Sequence, residues 1–333
     1  MEPNMDIHTF QQLHREGLIT DDSLQKVEAV EKARLFSLHW ELKTLLYLGV
    51  TLLSGGLGIL VYKNIDTIGH QVILAAIALV SVGCFYYCRR NAAPLSVAKV
   101  QVPNPFFDYI LLLGCLTMIT FIAYLQYAYS VFGSRYGLAT FIPMVILFIS
   151  AYSFDHLGVL SLAITNLAAW MGIAVTPMRI IKENSFDDRR LIYTGLFLGI
   201  ILLLAAMASE KRNIKKHFEF TYNNFGTHIL FISGLAGLFL HEQFFILWFL
   251  FLLLIAFYIY RQAMKKNSFY FLLLVSLYTY IALSYVIIRI LDKIGFADMN
   301  SIYLGLLYFI FSAIALVRIL IVFNRKMKAN DSL

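Results

Sequence analysis

Apolar residues in this chain come in long unbroken runs separated by short polar segments. The pattern first appears at residues 44–62, TLLYLGVTLLSGGLGILVY, which carry no charge. An α-helix rises about 1.5 Å per residue, so this run covers about 28 Å, close to the roughly 30 Å of a bilayer's hydrocarbon core. Nine more runs follow, at 68–87, 106–129, 136–154, 157–176, 191–208, 225–240, 244–260, 268–290 and 301–324. The pattern predicts an all-α fold, a polytopic integral membrane helical bundle of about ten transmembrane helices. Pro103 and Pro105 suit the start of the third helix, Pro143 lies inside the fourth, and Pro177 ends the fifth. Only two or three polar residues join the fourth run to the fifth and the seventh to the eighth. Both pairs are therefore expected to be tight antiparallel hairpins.

The segment before the first run is polar. It reads as a small N-terminal cytosolic helical hairpin. Residues 6–16 place Ile7, Phe10 and Leu13 at helical spacing, and Gly17 stands where a left-handed C-terminal cap belongs. Thr20 is an N-cap candidate, with Asp21 and Asp22 near the positive end of the helix dipole. Leu24, Val27, Leu35, Leu38 and Leu42 form an apolar stripe, and no Gly or Pro interrupts the chain from Thr20 to Gly49. The second helix is thus expected to enter the membrane as a stalk. The domains on this reading are residues 1–43, the ten-span region 44–324 and a cytosolic tail 325–333. No cleavable signal peptide is visible, so the first span is expected to act as the insertion signal.

Composition agrees with the pattern. The 333 residues are 60% hydrophobic and 14% charged, against roughly 45–50% and about 25% in soluble domains, and the mean hydropathy is +0.73. A net charge of +7 raises the question of nucleic acid. The basic residues sit in short clusters between apolar runs, which suits an anionic lipid leaflet and not a polyanion groove. With the N-terminus in the cytosol, eighteen Lys and Arg fall on the cytosolic side and eight outside. The asymmetry predicts both termini on the cytosolic side of a cell (cytoplasmic) membrane. Segment 178–190, with four basic residues, is the exception to that count. Cys84, Cys88 and Cys115 lie in or beside apolar runs, so no disulfide framework is expected. Cys84 and Cys88 read as small core residues, with a metal pair as the sharper alternative.

Residues 13–20 (LHREGLIT), 47–66 (YLGVTLLSGGLGILVYKNID) and the second apolar span together resemble a bacterial family catalogued as domain of unknown function 2157. The resemblance covers about residues 10–90. That family shows a Leu-x-x-x-Gly-Leu-Ile helical hairpin, a glycine-rich first span and an Asn-Trp-Asp-like tripeptide just outside; here the tripeptide is Asn64-Ile65-Asp66, without the Trp. The resemblance implies a membrane protein and implies no mechanism.

Catalytic motifs are missing: there is no P-loop, GxSxG, HExxH or dinucleotide fingerprint. No catalytic residue, cofactor or metal is therefore assigned. Asn166 lies near the centre of the fifth span and Pro143 near the middle of the fourth. Together they are the candidate for a broken-helix substrate site, or interhelical glue beside an ordinary kink. His228 lies about one turn inside the seventh span, among Asn223, Asn224, His241 and Glu242, and could relay protons or sit satisfied at the interface. Asn64, Asp66 and His70 on the turn between the first two spans could bind a cation or headgroup, or cap a helix. Arg289 and Asp292 are spaced to pair on one helix face. Gly195 and Gly199 form a GxxxG pair, and Ser54-Gly55 and Ser233-Gly234 open two Ser-Gly-x-x-Gly echoes.

Three functions remain open on these residues. The first is a secondary transporter or permease of a small molecule, since ten spans divide into two inverted fives. The second is an interaction or regulatory protein that docks a cytosolic partner through the N-terminal hairpin. The third, an intramembrane enzyme, has no motif in support. The expected surroundings are a lipid bilayer and no nucleic acid; nothing in the sequence sets the oligomeric state.

Overall fold

The computed structural model describes residues 13–21, 23–24, 38–63, 69–94, 96–100, 105–175, 189–293 and 299–331. These residues hold ten α-helices, one 3₁₀ turn and no strand. The helices are α1 (Leu38–Lys63), α2 (His70–Asn91), α3 (Pro105–Tyr129), α4 (Tyr136–Phe154) and α5 (Leu157–Val175). Then come α6 (Arg189–Arg212), α7 (Phe218–Leu240), α8 (Phe245–Lys265), α9 (Phe269–Lys293) and α10 (Met299–Asp331), with the 3₁₀ turn Glu242–Phe244 between α7 and α8.

Each apolar run of the sequence falls on one helix. Seven helices are long and apolar enough to cross a bilayer: α2, α3, α4, α6, α8, α9 and α10. Two more carry shorter apolar stretches, Thr44–Ile59 in α1 and Leu157–Gly172 in α5. Helix α7 begins at Phe218, seven residues before its apolar run, and that first part carries Glu219, Asn223 and Asn224.

The chain divides into two compact units, residues 1–64 and 65–333. In the first, residues 13–15 are helical and Gly17 takes φ +73°. The Leu18 N–H donates to Leu13 O and the Gly17 N–H to His14 O, the paired bonds of a Schellman cap. Helix resumes after Thr20, whose carbonyl accepts from the Leu24 N–H. The left-handed glycine and the helix start at Thr20 thus stand where the sequence places them. The remainder of the expected hairpin, residues 1–12 and 25–37, lies outside the described residues.

In the second unit, consecutive helices pack side by side from α2 to α9. Among apolar lipid tails there is little hydrophobic gain in bringing helices together, so close packing must supply the attraction. Small residues permit it. On α2 and α3 a Cβ added at Gly114 would lie 2.8 Å from Cys84 Cβ, and Ser81 donates to Gly114 O at 3.1 Å. The free thiols of Cys88 and Cys115 are buried in the same seam. On α6 and α7, a Cβ at Gly199 would meet Leu230 Cγ at 2.5 Å, and one at Gly226 would meet Gly199 O at 3.2 Å. The GxxxG pair of α6 is therefore a helix contact.

Helix α7 is the hub of the second unit. It packs on α5, α6, α8 and α9, and its buried residues run from Phe218 to Leu238. One core cluster, with Leu111, Leu147, Leu160, Leu202 and Phe218, lies toward α3–α6. A second, with Phe231, Leu238, Leu252 and Ile259, lies toward α8 and α9. Helix α10 joins α9 through the hydroxyl pairs Tyr280–Ser312 and Ser284–Tyr308, each at 3.0 Å.

Candidate functional site

Polar chemistry concentrates where α2, α4, α6 and α8 end and α3, α5, α7 and α9 begin. The α4–α5 connection is two residues, Asp155 and His156. Asp155 caps α4 in the left-handed conformation, φ 58°, with its N–H on Ala151 O. Asp tolerates that conformation better than most side chains, and it aims the carboxylate across the bundle end. Lys215, in the α6–α7 connection, is also left-handed, at φ 47°.

The two meet as a buried ion pair, Lys215 Nζ to Asp155 Oδ1 at 3.1 Å, with the side chains 5% and 3% exposed. His217 Nε2 stands 2.7 Å from the same oxygen. The other carboxylate oxygen accepts the Val100 N–H at 2.6 Å. Lys215 further binds the 96–100 segment: its N–H donates to Val97 O at 2.8 Å and its ammonium reaches Ala98 O at 3.5 Å. Beside this node His156 Nε2 lies 3.7 Å from Asp108 Oδ1 of α3, while the Val159 N–H donates to His156 Nδ1 at 3.0 Å. The node therefore ties three connections and α3 together at one end. Neither Asp155 Oδ1 nor His217 Nε2 makes a well-directed hydrogen bond, so the Lys215–Asp155 contact rests on charge attraction.

A second ionic group sits at the same end. Lys266, in the α8–α9 turn, pairs with Glu219 of α7 and with Glu210 of α6, the latter at 2.9 Å. Burial acts to lower the Lys266 pKa, but the hydrogen bonds to Glu219 and Glu210 outweigh it and hold the ammonium above the ordinary lysine value. Glu219 also accepts from Asn223 Nδ2 at 2.9 Å.

His228 lies deeper, ten residues from the start of α7, about 15 Å along the axis. Its Nδ1 is 2.7 Å from Tyr278 OH and its Nε2 is 3.3 Å from Tyr270 OH. Tyr270 in turn donates to Asn224 Oδ1 at 2.7 Å. Since Tyr270 spends its one proton on Asn224, it must accept from His228 Nε2–H, and Nδ1 then accepts from Tyr278. This assignment follows from the bonding pattern. The result is a directed hydrogen-bond chain between α7 and α9, from Tyr278 to His228 to Tyr270 to Asn224.

The other sequence candidates stand apart from these groups. Asn166 Nδ2 donates to Leu162 O of its own helix at 3.0 Å, the local bond open to an amide inside a helix. Pro143 is buried inside α4. His70, at the start of α2, meets Tyr124 OH of α3 at 2.8 Å; Asn64 and Asp66 lie outside the described residues. His241 stacks on Trp248 with centroids 5.5 Å apart. Sequence reasoning missed Asp155, His156, Lys215 and His217 as a group. A buried aspartate and lysine sixty residues apart leave no spacing signal.

These features define a polytopic α-helical membrane protein with its polar chemistry gathered at one end of the bundle. Residues 11–160 match the family described as "Predicted membrane protein (DUF2157)". The match takes in the region of resemblance and runs on through α4 to the start of α5, including Asp108, Asp155 and His156. No curated protein and no solved structure matches the chain.

Proposed function

We propose that all ten helices cross the bilayer with both termini in the cytosol, and that the protein is a secondary transporter or permease of a small molecule. The path on this reading follows α7. The carrying observation is the chain Tyr278–His228–Tyr270–Asn224, since ionisable groups within membrane helices are costly and are found along substrate, ion and proton pathways. Two features support it. Helix α7 is the hub on which four other helices pack, and the ionic groups around Asp155 and Lys266 close one end of it. The eighteen-to-eight distribution of Lys and Arg supports a cytosolic position for that end.

The test is uptake by the full chain in proteoliposomes containing a pH-sensitive dye. A panel of amino acids, organic acids, sugars and inorganic ions is offered under an imposed pH gradient. One class of solute should enter and move protons with it. Tyr270→Phe, which keeps the ring and removes the hydroxyl between His228 and Asn224, should slow that flux at least tenfold without loss of folded protein. Vesicles that move no member of the panel faster than empty ones would overturn the reading, as would full activity in Tyr270→Phe.

A further inference from the structure

The hairpin of α8 and α9 is fastened to the bundle differently at its two ends. At the α7–α8 turn the fastening is steric. A Cβ added at Gly234 of α7 would stand 2.6 Å from Leu252 Cδ2, and one at Gly237 would stand 2.5 Å from Trp248 Cε3. Bare backbone on α7 lets α8 come that close, and the 3₁₀ turn Glu242–Phe244 joins the two helices directly. Such a joint leaves no room for α8 to slide on α7, but it is confined to one end and allows a pivot.

Toward the polar end, α8 and α9 have no glycine, and α9 reaches α7 through long polar side chains. Lys266, in the α8–α9 turn, pairs with Glu210 of α6 at 2.9 Å and with Glu219 of α7. One turn deeper, Tyr270 donates to Asn224 Oδ1. Deeper again, Tyr270 and Tyr278 both meet His228. On the α8 side, Tyr258 OH donates to Met207 Sδ of α6 at 3.4 Å, and a thioether is a weak acceptor. These rungs run from the polar surface to Tyr278, where stacking on Phe231 takes over. The Lys266 side chain is 29% exposed and Tyr270 is 38% exposed, so the two outermost rungs stand at the surface. A partly exposed ion pair costs little to open, which is what a latch requires.

We infer that the α8–α9 hairpin is a swinging gate, with its pivot at Gly234 and Gly237 and its latch in the pairs of Lys266 with Glu210 and Glu219. Helix α10 travels with it through Tyr280–Ser312 and Ser284–Tyr308. Opening breaks the rungs in order from the surface inward and uncovers Asn224, Tyr270 and His228 to the polar end. A swing of about 10° over the roughly 30 Å of α8 moves its far end by about 5 Å. The gating role rests on the transport reading; the swing does not.

The experiment is pulsed electron–electron double resonance on the full chain in lipid nanodiscs, with Cys84, Cys88 and Cys115 replaced by Ala. One spin-label pair, Arg212→Cys with Arg261→Cys, reads the polar end between α6 and α8, at exposed sites. A second, Phe197→Cys with Ile246→Cys, reads the pivot end, at side chains that are also exposed. Lys266→Gln should raise the population of a longer polar-end distance by about threefold, as the loss of a partly exposed ion pair allows. The pivot-end distance should not change, and Lys266→Arg, which keeps the charge, should restore the wild-type distribution. A polar-end distance unmoved by Lys266→Gln overturns the inference, and so does a pivot-end distance that lengthens with it. The gating role is read separately by uptake into proteoliposomes. Glu219→Cys and Lys266→Cys bridged by a short bis-methanethiosulfonate should lose flux and regain it on reduction, and full flux in the bridged protein removes that role. Wild-type vesicles that move no solute defeat the transport reading alone, and the resonance distances still decide the swing.

Discussion

Asp155→Asn is the sharpest perturbation of the polar end. Asparagine accepts the left-handed backbone at φ 58° and can still accept the Val100 N–H, so the change removes the charge and little else. What it leaves behind is Lys215, 5% exposed, with its ammonium facing a neutral amide. Breaking a buried ion pair on one side costs about 3–5 kcal/mol, mostly as the desolvation of the surviving charge. The double variant Asp155→Asn with Lys215→Met removes that stranded charge and should recover at least half of the loss, because pairs replaced on both sides are often neutral. The assay is reversible unfolding of the purified chain in mixed micelles, with all four members of the double-mutant cycle. Asp155→Asn within about 1 kcal/mol of wild type, or a double variant worse than the single, would refute the account of the node as a buried ion pair.

Other expectations follow from the same geometry. Gly199→Leu puts a side chain where Leu230 Cγ and its backbone nitrogen already stand, at 2.5 and 3.1 Å from the new Cβ; it should destabilise the fold by about 1–3 kcal/mol, read in the same micelle assay. Gly305→Leu on α10, where an added Cβ meets nothing within 4 Å, should change stability by less than about 0.5 kcal/mol. Lys266→Met should cost no more than about 1 kcal/mol, since Lys266 and Glu210 are about a third exposed. The Lys266 pKa is raised on folding, so its own contribution is complete below the ordinary lysine value and fades only as pH climbs through the folded one. The difference between wild type and Lys266→Met should therefore hold steady across neutral and mildly alkaline pH; a fall between pH 7 and 8 would contradict it. Leu13→Asp, at the residue whose carbonyl closes the Gly17 cap, should make residues 1–19 more sensitive to protease added to inside-out vesicles while membrane insertion persists.

The helices were legible because a bilayer demands long apolar runs, and such runs need no tertiary context to be seen. The connection between the fourth and fifth runs was equally legible as a short turn. What that turn does was not. The sequence marks Asp155 only as one of two polar residues joining those runs, and Lys215 only as one of the basic residues counted for orientation. The charge rule treats every lysine as facing water or headgroups, whereas Lys215 is buried against a carboxylate brought from sixty residues away. Helix α7 starts seven residues before its apolar run for a related reason. Glu219, Asn223 and Asn224 precede that run, and Lys266, Tyr270 and the Glu219–Asn223 bond satisfy them inside the bundle, so the helix extends through them. His228 was found by its position alone, and its tyrosine partners fifty and forty-two residues away could only come from the fold. Asn166 shows the opposite limit: an amide that looked as though it needed an interhelical partner bonds its own helix at Leu162.

The central claim is that helices α2 to α9 each cross the membrane and that the Asp155 end faces the cytosol. Single cysteines in a chain whose Cys84, Cys88 and Cys115 are replaced by Ala test it directly, using a membrane-impermeant maleimide on intact spheroplasts. Lys216→Cys and Lys265→Cys, exposed at the polar end, should label only after the membrane is permeabilised. Ser134→Cys and Gln243→Cys, exposed at the other end, should label at once. Labelling of Lys216→Cys in intact spheroplasts, or protection of Ser134→Cys, would contradict the account.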